Sequence, residues 1–508
     1  MASNRIPSTH LSKSRIMSGL QCEKRLWLEV YRPQLKPPLT ASQERVFAVG
    51  TAVGELAREQ FPGSRLVTAP FYELARSVRE TASLVDRGDA THICEAAFEA
   101  DSTHVKVDVL SRAGDAWHLI EVKSTSSVKE EHVTDTAIQL HVVEAAGLPV
   151  ARCSLMHLNR DCRYPDLSDL FVIEDITDRA HAQQAVVPTL ISRMRDVVQL
   201  IQEPDVPIGT HCTKPYECPF TAYCWNGVPA QSVFTIPRLS SEKKDRIAAG
   251  GILLAVDVPD EELNDAQADY VRMLRSGEPV IDSDAIRSDL RTLQFPLYFL
   301  DFETCSDAVP RLTGLGPWQN YPFQYSLHIL APGGELSHHE YLHEDSTDPR
   351  PALSAALCRD IGPAGTIVAY NASFEQGVID RLASAAPHLG DQLRAMIPRF
   401  FDLLVVFRRH YAHPGFLGSN SIKNVLPVLV PDLTYSGMAV SNGDDAQAVW
   451  ATVIAGPGAG EPGSKPATAD GPQATFGFER ETILAQLRDY CRLDTLAMVR
   501  IYEVLKAL

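Results

Sequence analysis

The sequence contains no apolar run that approaches the roughly 20 residues needed to cross a bilayer. Its start, MASNRIPSTHLSKSR, lacks the apolar core of a signal peptide. These absences predict a cytoplasmic protein with no membrane partner. The proportions of hydrophobic residues (45%) and charged residues (22%) are those of an ordinary globular protein, which excludes a fibre, a repeat array and wholesale disorder.

Basic residues are outnumbered by acidic residues, 47 to 64, and the formal net charge is therefore -17 at pH 7. A protein that coats nucleic acid electrostatically needs a basic surface, so this class is excluded and any nucleic-acid binding must be local. The excess of carboxylates is compatible with metal sites, since a bound cation changes the local sign of charge. At 508 residues the chain is too long for one core, and two or three domains are expected.

The ten cysteines include no short CxxC pair of the kind found in most zinc modules. Cys22 stands alone, and about 190 residues later the stretch HCTKPYECPFTAYCW places Cys212, Cys218 and Cys224 with five residues between neighbours. In a long cytosolic chain, clustered cysteines are better explained as metal ligands than as disulfides. A zinc site that uses His211 and buried cysteines without any ligand are the alternatives.

Acidic residues accompany three predicted strands in the first part of the chain. The stretches ICEAAFEA, HVKVDVLSR and WHLIEVKST have strand patterns, and RAGDA has the composition of a turn between the last two. Asp108 falls on the second strand, and Glu121 and Lys123 fall on one face of the third. Such carboxylates can hold Mg²⁺, and the lysine can orient or activate water. The alternative is a half-exposed strand with a cross-strand ion pair.

A second pair of carboxylates ends the predicted strand YFLDFETC, residues 298–305. Because side chains alternate along a strand, Asp301 and Glu303 share one face, and two like charges there are unfavourable unless something neutralises them. Later, GTIVAY has a strand pattern and leads into a helix that begins near Ser373. In the last predicted helix, Tyr490 and Asp494 are four residues apart and therefore share a face.

The first acidic set resembles the PD-(D/E)xK nucleases, in which an Asp is followed by Glu-x-Lys on the next strand. The residues that this resemblance assigns to catalysis are Asp108, Glu121, Lys123 and Gln139, the last standing where RecB-like members place a glutamine. It also implies Mg²⁺ or Mn²⁺ bound by Asp108 and Glu121, with Glu95 as a further candidate ligand. Many RecB-like exonucleases have a histidine on an earlier helix, whereas this chain has Gly54 and Glu55 there.

The cysteine spacing resembles the iron-sulfur staple of RecB-like exonucleases from CRISPR systems and of AddB-type helicase-nucleases. There, the cluster ties the N-terminal helix to the C-terminal end of the nuclease domain. The resemblance implies one 4Fe-4S cluster with four thiolate ligands, namely Cys22, Cys212, Cys218 and Cys224.

The second acidic set resembles the DnaQ-like, RNase H-fold exonucleases of the DEDDy type. Their three motifs match Asp301 and Glu303, then Asn371, Phe374 and Glu375, then Tyr490 and Asp494. The resemblance implies two metal ions held by Asp301, Glu303, Glu375 and Asp494, with Tyr490 positioning the attacking water. Glu375 departs from the usual aspartate. Asp402 is an auxiliary candidate, and a capping role is the alternative for it.

As a whole, the chain resembles a bacterial family that joins a RecB-like nuclease with an iron-sulfur cluster to a C-terminal RNase H-like domain catalogued as a domain of unknown function. The expected fold is α/β, with a restriction-endonuclease-like domain at 1–230, a helical linker at 231–290 and an RNase H-like domain at 291–508. A Gly/Pro/Ala-rich flexible loop is expected at 455–477. Ser421, Ile422 and Lys423 are expected near the nucleic-acid backbone.

These observations predict a metal-dependent nuclease that acts on single-stranded or end-exposed nucleic acid, DNA rather than RNA, in repair or defence. A nucleic-acid-binding or scaffold protein with one or both sites inactive is the alternative from a different class. A structural zinc protein is the third.

Overall fold

The computed structural model describes residues 10–70, 72–88, 90–440, 442–455 and 473–508. The chain divides into two compact units. The first comprises the chain up to Leu39, Val46–Gly227 and Asp307–Trp318, and the second comprises Thr40–Arg45, Val228–Ser306 and Gln319–Leu508. The predicted loop at 455–477 falls largely on residues 456–472, which lie outside the described residues.

The first unit is built on a mixed seven-stranded sheet. Its strands are β1 (Leu11–Ser12), β2 (Arg65–Leu66), β3 (His92–Ala100), β4 (Thr103–Ala113), β5 (Ala116–Lys123), β6 (Val150–Leu158) and β7 (Phe171–Asp175). The order is β2-β3-β4-β5-β6-β7, and β1 pairs with β4. Strands β3, β4 and β5 are antiparallel neighbours, whereas β5 and β6 are parallel. The parallel pair requires a crossover helix.

The helices before residue 228 are α1 (Lys13–Gln21), α2 (Glu23–Tyr31), α3 (Ala41–Glu59), α4 (Leu74–Arg87), α5 (Glu130–Ala145), α6 (Thr177–Gln183), α7 (Val187–Gln199) and α8 (Thr221–Cys224). On one face of the sheet, Leu119 belongs to a core with Ile16, Ile138 and Ile191 from α1, α5 and α7. The crossover helix α5 is buried over most of its length. Polar residues on α5 must therefore find partners inside the unit.

The second unit contains a mixed five-stranded sheet with the order β11-β10-β9-β12-β13. These strands are β9 (Leu297–Cys305), β10 (Tyr321–Leu330), β11 (Leu336–Leu342), β12 (Thr366–Ala369) and β13 (Phe400–Asp402). A short antiparallel pair joins β8 (Val280–Ile281) to β14 (Tyr411–Ala412). Strand β9 is antiparallel to β10 and parallel to β12, so it lies at the centre of the sheet.

The helices of the second unit cover both faces of this sheet. They are α9 (Ser241–Ala249), α10 (Asp265–Ser276), α11 (Ser283–Leu290), α12 (Pro349–Asp360), α13 (Ser373–Ala385), α14 (Gly390–Arg394), α15 (Leu403–His410), α16 (Ile422–Leu429), α17 (Gly443–Ala455) and α18 (Gln473–Ala507). Phe299 of β9 packs with Met498 of α18 on one face, whereas Leu300 and Phe302 pack with Val378 of α13 on the other.

The segment that the sequence predicts as a linker, 231–290, has a hydrophobic core of its own. Val233, Ile247, Val258 and Val271 form that core, and they belong to the second unit. Pairing of β8 with β14 connects the end of the segment to the C-terminal region.

The predicted α/β class is confirmed by these two mixed sheets and their covering helices. Within the described ranges, no helix combines the length and the apolar character needed to cross a membrane.

Candidate functional site

The first acidic centre lies where β4 and β5 pair. Val109 of β4 lies opposite Ile120 of β5 in this antiparallel pair. Asp108 and Glu121 are therefore opposite each other at the adjacent position. The carboxylate of Asp108 accepts a hydrogen bond from the Val122 amide at 2.7 Å. The two acids that the sequence predicts to cooperate are therefore cross-strand neighbours.

Glu121 is 2% exposed and has a partner for each carboxylate oxygen. Its Oε1 lies 2.6 Å from the Lys123 Nζ and 2.8 Å from the Lys13 Nζ. The Gln139 amide donates to its Oε2 at 2.7 Å, as expected for a glutamine on the following helix that contacts the site. A buried carboxylate with two ammonium partners is well compensated.

Two members of this centre, Lys13 and Asp135, are absent from the sequence-based prediction. Asp135 accepts from the Lys123 Nζ at 2.7 Å, and its other oxygen lies 3.0 Å from the Lys13 Nζ. Asp135 precedes Gln139 by one helical turn on α5, so the i to i+4 spacing could have indicated it. Lys13 begins α1, about a hundred residues from its partners, and no local pattern indicates it.

The electrostatics of the two strand acids differ. Burial and the neighbouring charge of Glu121 raise the pKa of Asp108 to about 8. Burial also acts to raise the pKa of Glu121, but the ammonium groups of Lys123 and Lys13 outweigh it and hold that pKa below its ordinary range. The uncompensated acid of the pair is therefore Asp108, and a cation beside it would favour its ionised form.

A cleft of about 370 Å³ opens beside this pair. Its lining includes Asp108, Lys123, Glu95 and, from α3, Gly54 and Glu55. Glu95 forms ion pairs with arginine and lysine side chains at 3.5 and 3.1 Å. The cleft thus contains carboxylate donors suited to a hard divalent cation. Glu121, however, does not line this cleft. To bind such an ion, Glu121 would have to give up its contact with Lys13 or Lys123.

The second acidic centre is built from three separate parts of the second unit. Asp301 and Glu303 stand on β9, Glu375 lies in the first turn of α13, and Tyr490 and Asp494 lie on α18. All five line one cleft of about 620 Å³. Strand alternation explains the arrangement, because Asp301 and Glu303 continue the face of β9 whose Phe299 packs against α18. The structure therefore brings together all the residues that the DEDDy motifs single out for catalysis.

A thiol that the sequence-based prediction missed lies inside this centre. The Cys491 Sγ is 3.9 Å from Asp301 Oδ2, and potential ligand atoms of Asp301, Glu303 and Cys491 all lie within 4.8 Å of one another. The position next to Tyr490 on α18 could have indicated it.

Glu375 is the member that departs from the DEDDy motifs, which have an aspartate there, and it is 3% exposed. Its Oε2 is buried and has no hydrogen-bond partner among the described residues. An unpaired buried carboxylate oxygen is costly unless a cation or a proton compensates it. This orphaned oxygen therefore fits a site that receives a metal ion.

Asp402, the auxiliary candidate, is engaged in local structure. Its Oδ1 accepts from the Leu404 amide at 3.0 Å at the start of α15. The same oxygen accepts from the Asn371 amide at 2.9 Å, where Asn371 has a φ of 76°. Asp402 thus caps a helix and stabilises the left-handed turn that precedes α13.

Aromatic and basic groups flank Asp494. The Tyr435 hydroxyl donates to Asp494 at 2.5 Å, and the rings of Tyr435 and Tyr490 lie 6.2 Å apart. The Lys423 Nζ lies 5.8 Å from the first ring centroid and 5.9 Å from the second. Tyr435 is a further residue that the sequence-based prediction missed. The ammonium group of Lys423 is close enough to act on a phosphate that enters the cleft.

All four carboxyls of this centre have raised pKa values. Burial is the first cause in each, and mutual repulsion adds to it for Asp301 and Glu303. The pKa of Asp301 is well above its ordinary value, those of Glu303 and Glu375 are about 8, and that of Asp494 is about 6. These hard oxygen donors hold their protons more tightly than usual, and a divalent cation such as Mg²⁺ or Mn²⁺ would favour their ionised forms.

The four predicted cysteine ligands converge in the first unit. Cys22 separates α1 from α2, Cys212 and Cys218 are linked by a backbone hydrogen bond of 2.8 Å, and Cys224 ends α8. Burial raises the pKa of Cys224 to about 11, and the other three thiols contribute in the same direction. All four thiols are free. Residues 190 or more apart in the chain are therefore neighbours in the fold.

Four thiolates can hold either a tetrahedral Zn²⁺ or a 4Fe-4S cluster. The His211 Nε2 lies 3.8 Å from the Cys212 Sγ, and hydrogen bonding to the Cys212 and Cys22 thiols raises the pKa of His211 to about 10. The arrangement is therefore compatible both with a cluster held by the four cysteines and with a zinc site that uses His211.

Comparison with known protein families finds a match to part of the chain. Residues 298–421 match the family described as "Domain of unknown function (DUF2779)". The matched region contains Asp301, Glu303 and Glu375 but ends before α18. No curated protein matches the chain.

Proposed function

We propose that this protein is a metal-dependent nuclease that hydrolyses phosphodiester bonds in single-stranded or end-exposed nucleic acid, DNA in preference to RNA, during DNA repair or defence. The observation that carries the proposal is the convergence of three buried carboxyls, one half-buried carboxyl and one tyrosine in the cleft of the second unit. Three distant parts of the chain supply them. Grouping four acids without compensating arginines destabilises a fold unless the site serves a cation.

In this proposal the second unit is a DEDDy-type exonuclease. Asp301, Glu303, Glu375 and Asp494 would hold the metal ions, which supply an activated water and stabilise the charge on the leaving 3′ oxygen. Tyr490 orients the attacking water through its hydroxyl, and the hydroxyl of Tyr435 holds Asp494 in place. Lys423 attracts the phosphate to the cleft.

The first unit would supply a second hydrolytic centre of the PD-(D/E)xK type. Asp108 and Glu121 would bind the metal, with Glu95 as a further ligand at the cleft. Lys123 holds a proton next to Glu121 and can orient water or neutralise developing charge. Gln139 fixes the second oxygen of Glu121.

A 4Fe-4S cluster held by Cys22, Cys212, Cys218 and Cys224 forms part of the same proposal. The mutual electrostatic influence of the four thiols supports it, and zinc bound with the help of His211 is the alternative. The Gln21 amide donates to the carbonyls of His211 and Tyr216 at 2.8 and 2.7 Å, so the N-terminal helix and the late cysteine loop already contact each other. The cluster would strengthen that connection.

The test is degradation of end-labelled single-stranded DNA and RNA with Mg²⁺ or Mn²⁺. Wild type should shorten the DNA, and Asp301→Asn should remove the activity of the second unit. Asp391→Asn, which changes an exposed carboxyl of that unit, should behave as wild type. Lys123→Met reports on the first unit in the same assay. Metal-dependent degradation by a double variant that carries both Asp301→Asn and Lys123→Met would refute the assignment of the two centres.

A nucleic-acid-binding protein with one inactive centre is the second candidate. The observation that favours it is the double engagement of Glu121 Oε1 by Lys13 and Lys123, which occupies a prospective metal ligand. In that case Lys123→Met would leave DNA degradation unchanged, whereas Asp301→Asn would abolish it.

A further inference from the structure

The second unit contains a further cleft of about 1060 Å³, which the two proposed hydrolytic centres do not use. Its lining comes from the segment that follows residue 236, from the end of β12, from α15 and from the loop that precedes α16. The helical segment 231–290, which the sequence predicts as a linker, thus supplies one wall.

The charge of this cleft contrasts with that of the chain. No aspartate or glutamate lines it, although the protein carries a formal net charge of -17. Arg238 and Arg408 line it and are exposed, and neither guanidinium forms an ion pair within the described ranges. The other polar lining groups include amides and hydroxyls, among them Asn264, Gln267 and Asn420. A local basic surface without carboxylates is suited to phosphate.

Two half-buried tyrosines provide flat surfaces in the same cleft. The Tyr370 hydroxyl donates to the carbonyl of Asn420 at 2.6 Å, which fixes its ring. Tyr270 also lines the cleft, and its buried hydroxyl faces the Thr235 side chain. Aromatic rings beside cationic groups are the usual elements of single-strand binding surfaces.

The backbone that shapes the cleft is unusual at three positions. Arg238 has a φ of 55°, which costs energy for a residue other than glycine, and Asn371 has a φ of 76°, which asparagine adopts more readily. Gly418 has a φ of 74°, and a Cβ there would lie 1.8 Å from the carbonyl oxygen of Thr235. The loop therefore packs directly on the helical segment, and the wall is part of the folded unit.

This cleft adjoins the cleft of the carboxylate centre. Ile422 lines both clefts, and Lys423 follows it in the carboxylate cleft. Asn371 lines the larger cleft, while Phe374, three residues later, lines the smaller one. A strand with its end at the carboxylates could thus extend past Ile422 into the larger cleft.

We propose that the larger cleft binds the single-stranded nucleic acid that leads into the carboxylate centre, with its phosphates on Arg238 and Arg408 and its bases on Tyr270 and Tyr370. The proposal rests on the proposed nuclease function and names the substrate path of that site. The segment 231–290 is then a substrate-binding element.

The experiment measures fluorescence anisotropy of 5′-labelled dT12 and U12 on a full-length parent protein that carries both Asp301→Asn and Lys123→Met, so that neither centre should degrade them. Arg238→Gln combined with Arg408→Gln should weaken binding about tenfold or more. Loss of two phosphate contacts should also reduce the slope of log K against log salt by about 1.4. Tyr270→Ala should weaken binding with little change in that slope.

Arg409→Gln is the matched control, because Arg409 is the next residue on α15, is exposed and does not line the cleft. It should bind as tightly as the parent protein. Binding unchanged in the double arginine variant, or reduced equally by Arg409→Gln, overturns the proposed path while wild-type hydrolysis still supports the nuclease. A parent protein that binds neither oligonucleotide, together with a wild type that hydrolyses neither, overturns both proposals. Comparison of dT12 with U12 decides between DNA and RNA.

Discussion

Glu303→Gln should stabilise the metal-free protein at pH 8. The Glu303 carboxyl is 6% exposed, and burial followed by repulsion from Asp494 raises its pKa from 4.5 to about 8, with Lys423 acting in the opposite direction. Because the pKa is raised on folding, the folded state binds more protons than the unfolded state between about pH 4.5 and pH 8. The free energy of unfolding therefore falls as pH rises through this range.

The size of this change in the free energy of unfolding follows from the pKa shift of Glu303. Each pKa unit corresponds to about 1.4 kcal/mol, so the Glu303 carboxyl lowers the free energy of unfolding by on the order of 4 kcal/mol at pH 8 and by about 1 kcal/mol at pH 5. Glutamine is neutral at both values and similar in size. The substitution should therefore stabilise the metal-free protein by a few kcal/mol at pH 8 and by much less at pH 5.

Urea unfolding in the presence of a chelator, at pH 5 and pH 8, measures the effect. Glu335→Gln is the control, since Glu335 is an exposed carboxyl in the same unit. Saturating Mn²⁺ should reverse the order and make wild type the more stable protein, because only wild type keeps the full set of ligands. A Glu303→Gln protein that is less stable than wild type at pH 8 without metal would refute the electrostatic reasoning.

Three further predictions concern other parts of the molecule. Lys13→Met leaves two buried carboxylates with one ammonium partner and should destabilise the metal-free protein by about 3 kcal/mol in thermal unfolding, whereas Lys13→Arg should lose less. Asp402→Ala removes a helix cap and should cost about 1 to 2 kcal/mol in denaturant unfolding, while Asp402→Asn, which keeps an acceptor oxygen, should cost less. Cys218→Ser should lose the iron and the broad absorption near roughly 400 nm of anaerobically purified protein, and Cys358→Ser should keep both. Stoichiometric zinc in a colourless wild type would contradict the cluster.

The sequence was most informative where a short pattern fixes geometry. The alternation of a strand places Asp301 and Glu303 on one face, and the four-residue spacing of Tyr490 and Asp494 places them on one side of α18. The structure adds the reason that they meet, because the face of β9 that bears the acids packs against α18.

Contacts between residues far apart in the sequence could not be predicted from such local patterns. Lys13 reaches Glu121 across 108 positions, and Tyr435 reaches Asp494 across 59. Neither contact follows from local periodicity, since each depends on how separate elements pack. The segment 231–290 is a further example. The sequence predicts its helices, but its packing in the second unit and its contribution to the larger cleft depend on the tertiary fold.

The central claim is that the carboxylates of the second unit form a divalent metal site. Anomalous diffraction from crystals soaked in Mn²⁺ tests it directly. We expect a manganese peak bound by oxygens of Asp301, Glu303 and Asp494, and its loss in Asp301→Asn crystals. Manganese that binds only elsewhere on the protein, with this cleft empty at saturating concentration, would contradict the account.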